Sequence, residues 1–188
     1  PRGVLVKTTQ ELVRSARDRF NQELHGAEYR RIHSDDDQLR ALIDLLGVEV
    51  GSTVLDLGTG AGYVAFEIGR RYPRCRVVGV DVANVAISAN IERKRSERIS
   101  NVDFRVYSGT TLPFDDASFD GVISRYAFHH FPEPEVSVSE MSRVLRRTGR
   151  VVVSDPVPLA VDPTDFIEAF QRLQPDGHVR FHRPSELE

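Results

Sequence analysis

The chain has 188 residues, 40% of them hydrophobic and 28% charged, which is the make-up of one globular domain with a sizeable core. A net charge of −3 supplies no global field for nucleic acid, and the single cysteine, Cys75, excludes an internal disulfide and a multi-cysteine metal site. No apolar run approaches the roughly 20 residues that span a bilayer, and the N-terminus lacks the apolar core of a signal peptide. No membrane is therefore expected, and a cytoplasmic protein whose start residue was trimmed before Pro1 is the default expectation.

In chain order, Thr8 to Phe20 is predicted helical, with Leu12, Val13, Ala16 and Phe20 on one face. Gly26 ends that element. Ser34 reads as an N-cap with Asp35, Asp36 and Asp37 in the first turn. Leu39, Leu42, Ile43 and Leu46 follow as the apolar stripe of a second helix, stopped by Gly47. Next comes T-V-L-D-L-G-T-G-A-G, residues 53–62. An apolar run broken only by Asp56 leads into glycines at 58, 60 and 62, and a helical pattern begins at Tyr63. That is strand, glycine-rich turn and helix, with free N–H groups at the helix start and an acid at the strand end, where open α/β sheets place ligands. A dinucleotide fingerprint would need its third glycine where Tyr63 stands.

The helix closes before Pro73. Arg76 to Val80 reads as the second strand, and Asp81 at its end follows Gly62 by 19 residues. That is the spacing of the acid that accepts both hydrogens of a ribose diol. Residues 84–98 are predicted helical with Val85, Ala86, Ala89 and Ile91 inward, and the run E-R-K-R-S-E-R reads as a solvated face because it alternates sign. Val102–Val106 and Phe119–Ser124 are the third and fourth strands. Pro132 and Pro134 open a helix whose apolar positions include Val136, Val138, Met141, Val144 and Leu145. R-V-V-V-S-D-P after Gly149 is the fifth strand, β-branched enough to be buried on both faces. Val161–Leu173 is a further predicted helix.

Asp56, Gly58, Gly60 and Gly62 resemble motif I, D-x-G-x-G-x-G, of the class I S-adenosylmethionine (SAM)-dependent methyltransferases. The acid repels a diphosphate but suits a ligand carrying an ammonium group and a sulfonium. Leu112, Pro113, Phe114, Asp116, Ser118, Phe119 and Asp120 resemble the L-P-F-x-D-x-S-F-D stretch of the small-molecule group that includes the quinone C-methyltransferases. The resemblance spans roughly residues 40–187. It implies SAM, or its demethylated product S-adenosylhomocysteine (SAH), as cofactor. The cofactor would contact Asp56, Gly58, Thr59, Gly60 and Gly62 in the turn, then Asp81 against the ribose and Val82 against the adenine. Ser108, Gly109 and Thr110 would follow the third strand, and Ser124 and Arg125 would end the fourth. The family's adenine-side Asp falls on Ser108, a departure: either its hydroxyl or the Gly109 N–H reads the base. Tyr29, Tyr126, His129, His130 and His178 are the candidate acceptor wall. No metal is expected. Of His129 and His130, one is expected to be a structural hydrogen-bonder, with a catalytic role as the alternative. No catalytic residue is assigned: in-line methyl transfer asks chiefly for alignment, and Cys75 has no reactive context.

The expected fold is a Rossmann-like, doubly wound parallel sheet in three α/β/α layers, order 3-2-1-4-5. Residues 1–47 form an N-terminal helical cap and 48–188 the SAM-binding methyltransferase domain. Nothing after Leu187 supplies the family's terminal antiparallel hairpin, so the fifth strand is expected at an edge, inviting self-association. The functional expectation is transfer of a methyl group to a small-molecule acceptor, with no nucleic-acid partner. The alternative is a SAM-binding regulatory or partner subunit without its own activity.

Overall fold

The computed structural model describes residues 7–23, 36–157 and 178–183. Five strands form one sheet: β1 (Thr53–Leu57), β2 (Arg76–Asp81), β3 (Val102–Val106), β4 (Phe119–Arg125) and β5 (Leu145–Ser154). Their order is β3-β2-β1-β4-β5, and every pairing is parallel. Parallel neighbours need crossovers. Three are helical: α3 (Tyr63–Arg71), α4 (Asn84–Ser96) and α5 (Pro134–Val144); α1 (Thr9–Glu23) and α2 (Asp36–Leu46) precede the sheet. The direction of winding reverses between β1 and β4, which opens a crevice at the carboxyl ends of the strands.

Period-two alternation sorts the strand residues between two layers. Val54, Val77, Val102 and Ile123 pack with Leu39, Ile43 and Leu46 of α2 and with Val64, Phe66 and Ile68 of α3. Leu55, Leu57, Val78, Val80 and Val122 pack on the other face with Met141 and Val144 of α5. Asp56 falls on the α3 side of β1, and that placement sets its chemistry.

The crossover from β3 to β4 has no helix. Arg143 of α5 holds it, donating to the carbonyls of Leu112 at 3.0 Å and Phe114 at 2.8 Å while pairing with Glu140 and Asp116. Glu140 accepts the Leu112 N–H at 2.7 Å. Asp120 accepts the Thr53 N–H at 2.7 Å, tying β4 to the start of β1. The L-P-F…S-F-D residues are therefore braces of this crossover.

Two expectations, for α4 and for β5, are corrected. The inward face of α4 is Ala86, Ile87 and Asn90, whereas Ala89 is exposed. Asn90 is buried because its amide donates to the Gly60 carbonyl at 2.8 Å. In α5 the buried positions are Ser137, Met141 and Val144, one helical face, with Ser137 donating to the Glu133 carbonyl; Val136 and Val138 are exposed. β5 is not buried on both faces: Val151 is 43% exposed. Among the described residues this strand pairs only with β4, and solvent reaches its other side. It also starts earlier than expected, at Leu145, with a register shift between Phe119 and Gly121. The helix at 161–173, Gly26, Ser34 and Asp35 lie outside the described residues. Among the described residues no helix is long and apolar enough to cross a membrane.

Candidate cofactor and acceptor site

The carboxyl end of β1 turns sharply because the N–H groups of Gly58 and Thr59 both donate to the Val80 carbonyl at 2.9 Å. Gly58 has φ +75°, and a Cβ there would stand 2.4 Å from the Ala127 Cβ. Only glycine lets the turn come this close to the loop after β4.

Asp56 is 1% exposed. One of its oxygens accepts the Thr59 hydroxyl at 2.6 Å and the Ala65 N–H at 3.1 Å, so the carboxylate caps the first turn of α3. Thr59 reaches it because Gly79, the register partner of Asp56 on β2, has no side chain: a Cβ there would lie 2.7 Å from Thr59 Oγ1. Burial pushes the Asp56 carboxyl up to about 7 against the pull of its two hydrogen bonds; Asp81 adds to the rise and Arg125 opposes it.

Asp81 accepts the Gly60 N–H on one oxygen at 2.8 Å and the Ala83 N–H on the other at 2.9 Å. Burial raises its pKa against these bonds. Burial, with a contribution from Asp81, also holds the neighbouring Tyr107 phenol well above its ordinary range.

The opposite wall is built over long sequence separations. Arg125, 7% exposed, donates to Gln38 of α2 at 2.8 Å, and the Tyr126 hydroxyl donates to the same oxygen at 3.0 Å. Tyr126 holds φ +53°, a strained conformation for a non-glycine residue. The Asn21 amide oxygen of α1 accepts the Val85 N–H, seating α1 over the start of α4. His129 is turned away from the cavity: Asp155 at the end of β5 accepts its N–H at 2.8 Å and lies 2.9 Å from its ring Nδ1. The Val179 N–H donates to the His129 carbonyl at 2.9 Å.

Between the walls lies a cavity open to solvent. Of the candidate residues, Asp56, Gly58, Thr59, Gly60, Asp81, Val82, Gly109, Arg125, Tyr126 and His130 line it. Gly62 instead starts α3 with φ +78°. The Ser108 hydroxyl is engaged by the Thr111 N–H and carbonyl in its own turn, and Ser108 lines an adjoining cavity with Val82, Asn84 and Tyr107. Thr110 is part of that turn and lies outside the main lining. Ser124 is fully buried, since neighbours along a strand face opposite ways and Arg125 takes the cavity side. His178 stacks 5.5 Å from His129, behind the loop. Tyr29 lies outside the described residues. The lining also includes Val13, Ala16 and Phe20 of α1, Tyr63, Tyr107 and Phe131. Gln38 and Asn90 support it from behind. No local pattern signalled either residue.

An adenosyl group fits this lining. Each Asp81 oxygen accepts one backbone N–H, and a carboxylate has about four acceptor sites, leaving capacity for a vicinal diol. The side-chain-free turn admits close approach, and two buried carboxylates against one guanidinium favour a cationic ligand over a phosphorylated one.

Sheet order, turn and paired acids together define a Rossmann-like α/β domain built for a nucleoside ligand. Residues 49–180 match the family described as Methyltransferase domain, and the chain belongs to that family. It is 30% identical over 169 residues to the uncharacterized methyltransferase YcgJ of Bacillus subtilis, covering 88% of this chain and 64% of the relative. The crystal structure of YcgJ superposes with a TM-score of 0.73 at 30% identity, over 81% of this chain and 64% of that one. A demethylmenaquinone methyltransferase of Thermus thermophilus is 34% identical over 138 residues, 72% of this chain and 62% of the relative. An arsenite methyltransferase of Halobacterium salinarum is 40% identical over 131 residues, 68% of this chain and 32% of the relative. The chain thus spans less than two thirds of the length of each.

Proposed function

We propose that the chain transfers a methyl group from SAM to a small-molecule acceptor. The observation that carries this reading is the convergence of Asp56, the glycine turn and Asp81 on one cavity whose far wall is the Arg125–Phe131 loop. Bound there, SAM supplies an electrophilic methyl on a positive sulfur. Asp81 takes the ribose hydroxyls, Val82 lies along the adenine, and the Gly109 N–H is the better placed adenine reader because the Ser108 hydroxyl is occupied locally. Asp56 sets the potential at the charged end of the cofactor.

The acceptor enters between α1 and the loop, against Phe20, Tyr126, His130 and Phe131. These rings exclude water and fix orientation, which is the main requirement of an in-line displacement. His129 positions the loop through Asp155 rather than touching substrate. The relatives' printed names cover a quinone precursor and arsenite, so kinship leaves the acceptor open, and the ring-rich wall favours a planar organic one. Within the N-terminal segment, α1 acts as the cap of this cavity through Val13, Ala16 and Phe20.

The test has two stages. Calorimetry with SAM and SAH is expected to give saturable one-site binding. Labelled methyl groups are then followed into a metabolite extract, where transfer to a low-molecular-weight product is the expected result. Absence of binding by both ligands overturns the reading.

A further inference from the structure

Asp56 has a position unlike that of Asp81. Both are buried, and both line the cavity. Asp81 accepts backbone N–H groups on both oxygens, so its charge is well solvated by the chain. Asp56 receives its two donors, the Thr59 hydroxyl and the Ala65 N–H, on one oxygen only. The charged and titratable groups facing it are Asp81 from β2, Arg125 from β4, Tyr126 and His130 from the following loop, Tyr63 from α3 and Tyr107 beyond β3. The α1 residues lining the cavity, Val13, Ala16 and Phe20, carry no charge. Arg125 is the cation of this set at neutral pH, and Asp81 competes for its field.

A buried carboxylate so placed sits near the balance between ionised and protonated forms, and a charge added to the cavity decides the outcome. SAM brings a net positive charge, its sulfonium and ammonium outweighing one carboxylate. SAH, having lost the methyl cation, is net neutral. The two otherwise offer the same adenosine and the same amino-acid end.

Resting on the SAM-binding reading above, we propose that Asp56 makes the pocket distinguish donor from product: it ionises when SAM binds, releasing a proton to solvent, and keeps more of that proton when SAH binds. Linkage then requires that rising pH tighten SAM more than SAH. Transfer of the methyl weakens the hold on Asp56 as an anion, and reprotonation of the carboxyl accompanies release of the spent cofactor. That Asp56 lies near neutrality in the ligand-free protein, held up by burial, puts the effect in an accessible range.

The test is titration calorimetry of the wild-type chain with SAM and with SAH at about pH 5.0 and 6.5, both about one unit or more below the range of about 7.7–8.0 where α-amino groups lose their protons. Each titration is run in two buffers of different ionisation enthalpy. The expected result is a larger proton release with SAM than with SAH at about pH 6.5. The ratio of the SAH to the SAM dissociation constant should rise by about fivefold or more between the two pH values. In Asp56→Asn the ratio is expected to be flat. Should that variant fail to fold, carbon NMR of the aspartate carboxyls in the wild type replaces it, with a lower titration midpoint for Asp56 in the SAM complex than in the SAH complex. Equal proton counts and a constant ratio for two ligands that both bind overturn this proposal and leave the methyltransferase reading intact. A ratio that still rises in a folded Asp56→Asn assigns the proton to another group, His130 first, and overturns it as well. Binding of neither ligand removes the reading beneath it instead.

Discussion

The two walls of the cavity are held together in different ways. On the β1–β2 side every important polar contact stays within one contiguous unit that runs from β1 into α4: Asp56 to Thr59 and Ala65, Asp81 to Gly60 and Ala83, Asn90 to Gly60. Most of the acceptors face backbone N–H groups, so the wall is rigid before any ligand arrives. On the β4 side two sets of contacts span the chain, Gln38 to Arg125 and Tyr126 and Thr9 to Glu133, beside the nearer Asp155 to His129. Side chains on separate elements must be ordered together for these, at an entropic cost the first wall avoids. A shared scaffold for one fixed ligand and a changeable wall for varied ones is the arrangement this difference supports.

The sharpest way to break the first wall is Gly58→Ala. The substitution combines a left-handed φ with a Cβ 2.4 Å from the Ala127 Cβ. Strain of about 1–3 kcal/mol joins an overpacking cost of similar size, so a loss of about 3 kcal/mol in urea unfolding is expected. Adding Ala127→Gly should recover the overpacking part and leave the strain. A wild-type midpoint in the single variant would show that the turn and the loop do not meet.

Next in size is Asp81→Ala. Removing a charged acceptor from a two-point contact costs about 1.5–3 kcal/mol, so SAM and SAH should both lose tenfold or more in affinity by calorimetry. The Gly60 and Ala83 N–H groups also lose their acceptor, and some stability should go with it. Unchanged binding contradicts the ribose assignment. Comparable truncation of Tyr126 on the other wall should spare the cofactor.

The contrast also explains what could be read in the sequence. Asp56, the three glycines and Asp81 follow one another within a single strand–turn–helix–strand unit, where spacing alone fixes geometry. Sheet order came with the family resemblance that these residues carry. Gln38 was invisible because its partner lies 87 residues away and nothing local distinguishes it from any polar helix residue. Ser124 and Thr110 came with the family resemblance, and their side chains leave the cavity lining because direction alternates along a strand and a turn can absorb a hydroxyl. The valines of β5 suggested full burial, and an edge position overrode them, as β propensity reports packing context more than backbone preference. Val136 and Val138 are apolar yet exposed, since the buried face of α5 is Ser137, Met141 and Val144.

A third comparison uses pH. Because the Asp56 carboxyl is raised to about 7 in the folded chain, the native state holds that proton more tightly than the unfolded chain does. Its contribution is therefore a stability that falls as pH rises from about 4 toward 7 and levels off above. Glu97, Glu140, Asp103 and Asp120 are shifted the other way, chiefly by arginine, lysine or backbone donors, so their contribution is lost only at more acidic pH. Urea midpoints between pH 5 and 7.5 should decline in the wild type, and the decline should shrink in Asp56→Asn and when SAM is saturating. A midpoint flat across that window in the wild type would place Asp56 in the ordinary carboxylate range.

The smallest expected effect belongs to Gln38→Ala, and it tests the second wall alone. Gln38 receives the Arg125 guanidinium and the Tyr126 hydroxyl on a single amide oxygen, and it is the described contact that ties α2 to the loop. Its side chain is only partly buried, so water can replace part of what is removed, and the loss of stability should stay near about 1 kcal/mol. Cofactor affinity should change by less than about threefold, since α2 reaches the cofactor side only through Arg125, which keeps its charge, and each kcal/mol is worth only about fivefold. The loop itself, released from one of its anchors and already strained at Tyr126, should sample more conformations. Amide exchange of residues 125–131 should therefore quicken while that of residues 56–62 stays as in the wild type. Once an acceptor is in hand, its KM should rise more than kcat falls, because orientation at the mouth is loosened while the donor remains fixed. Equal acceleration of exchange on both walls would mean that they behave as one unit, and the division drawn here between a fixed donor side and an adjustable acceptor side would not stand.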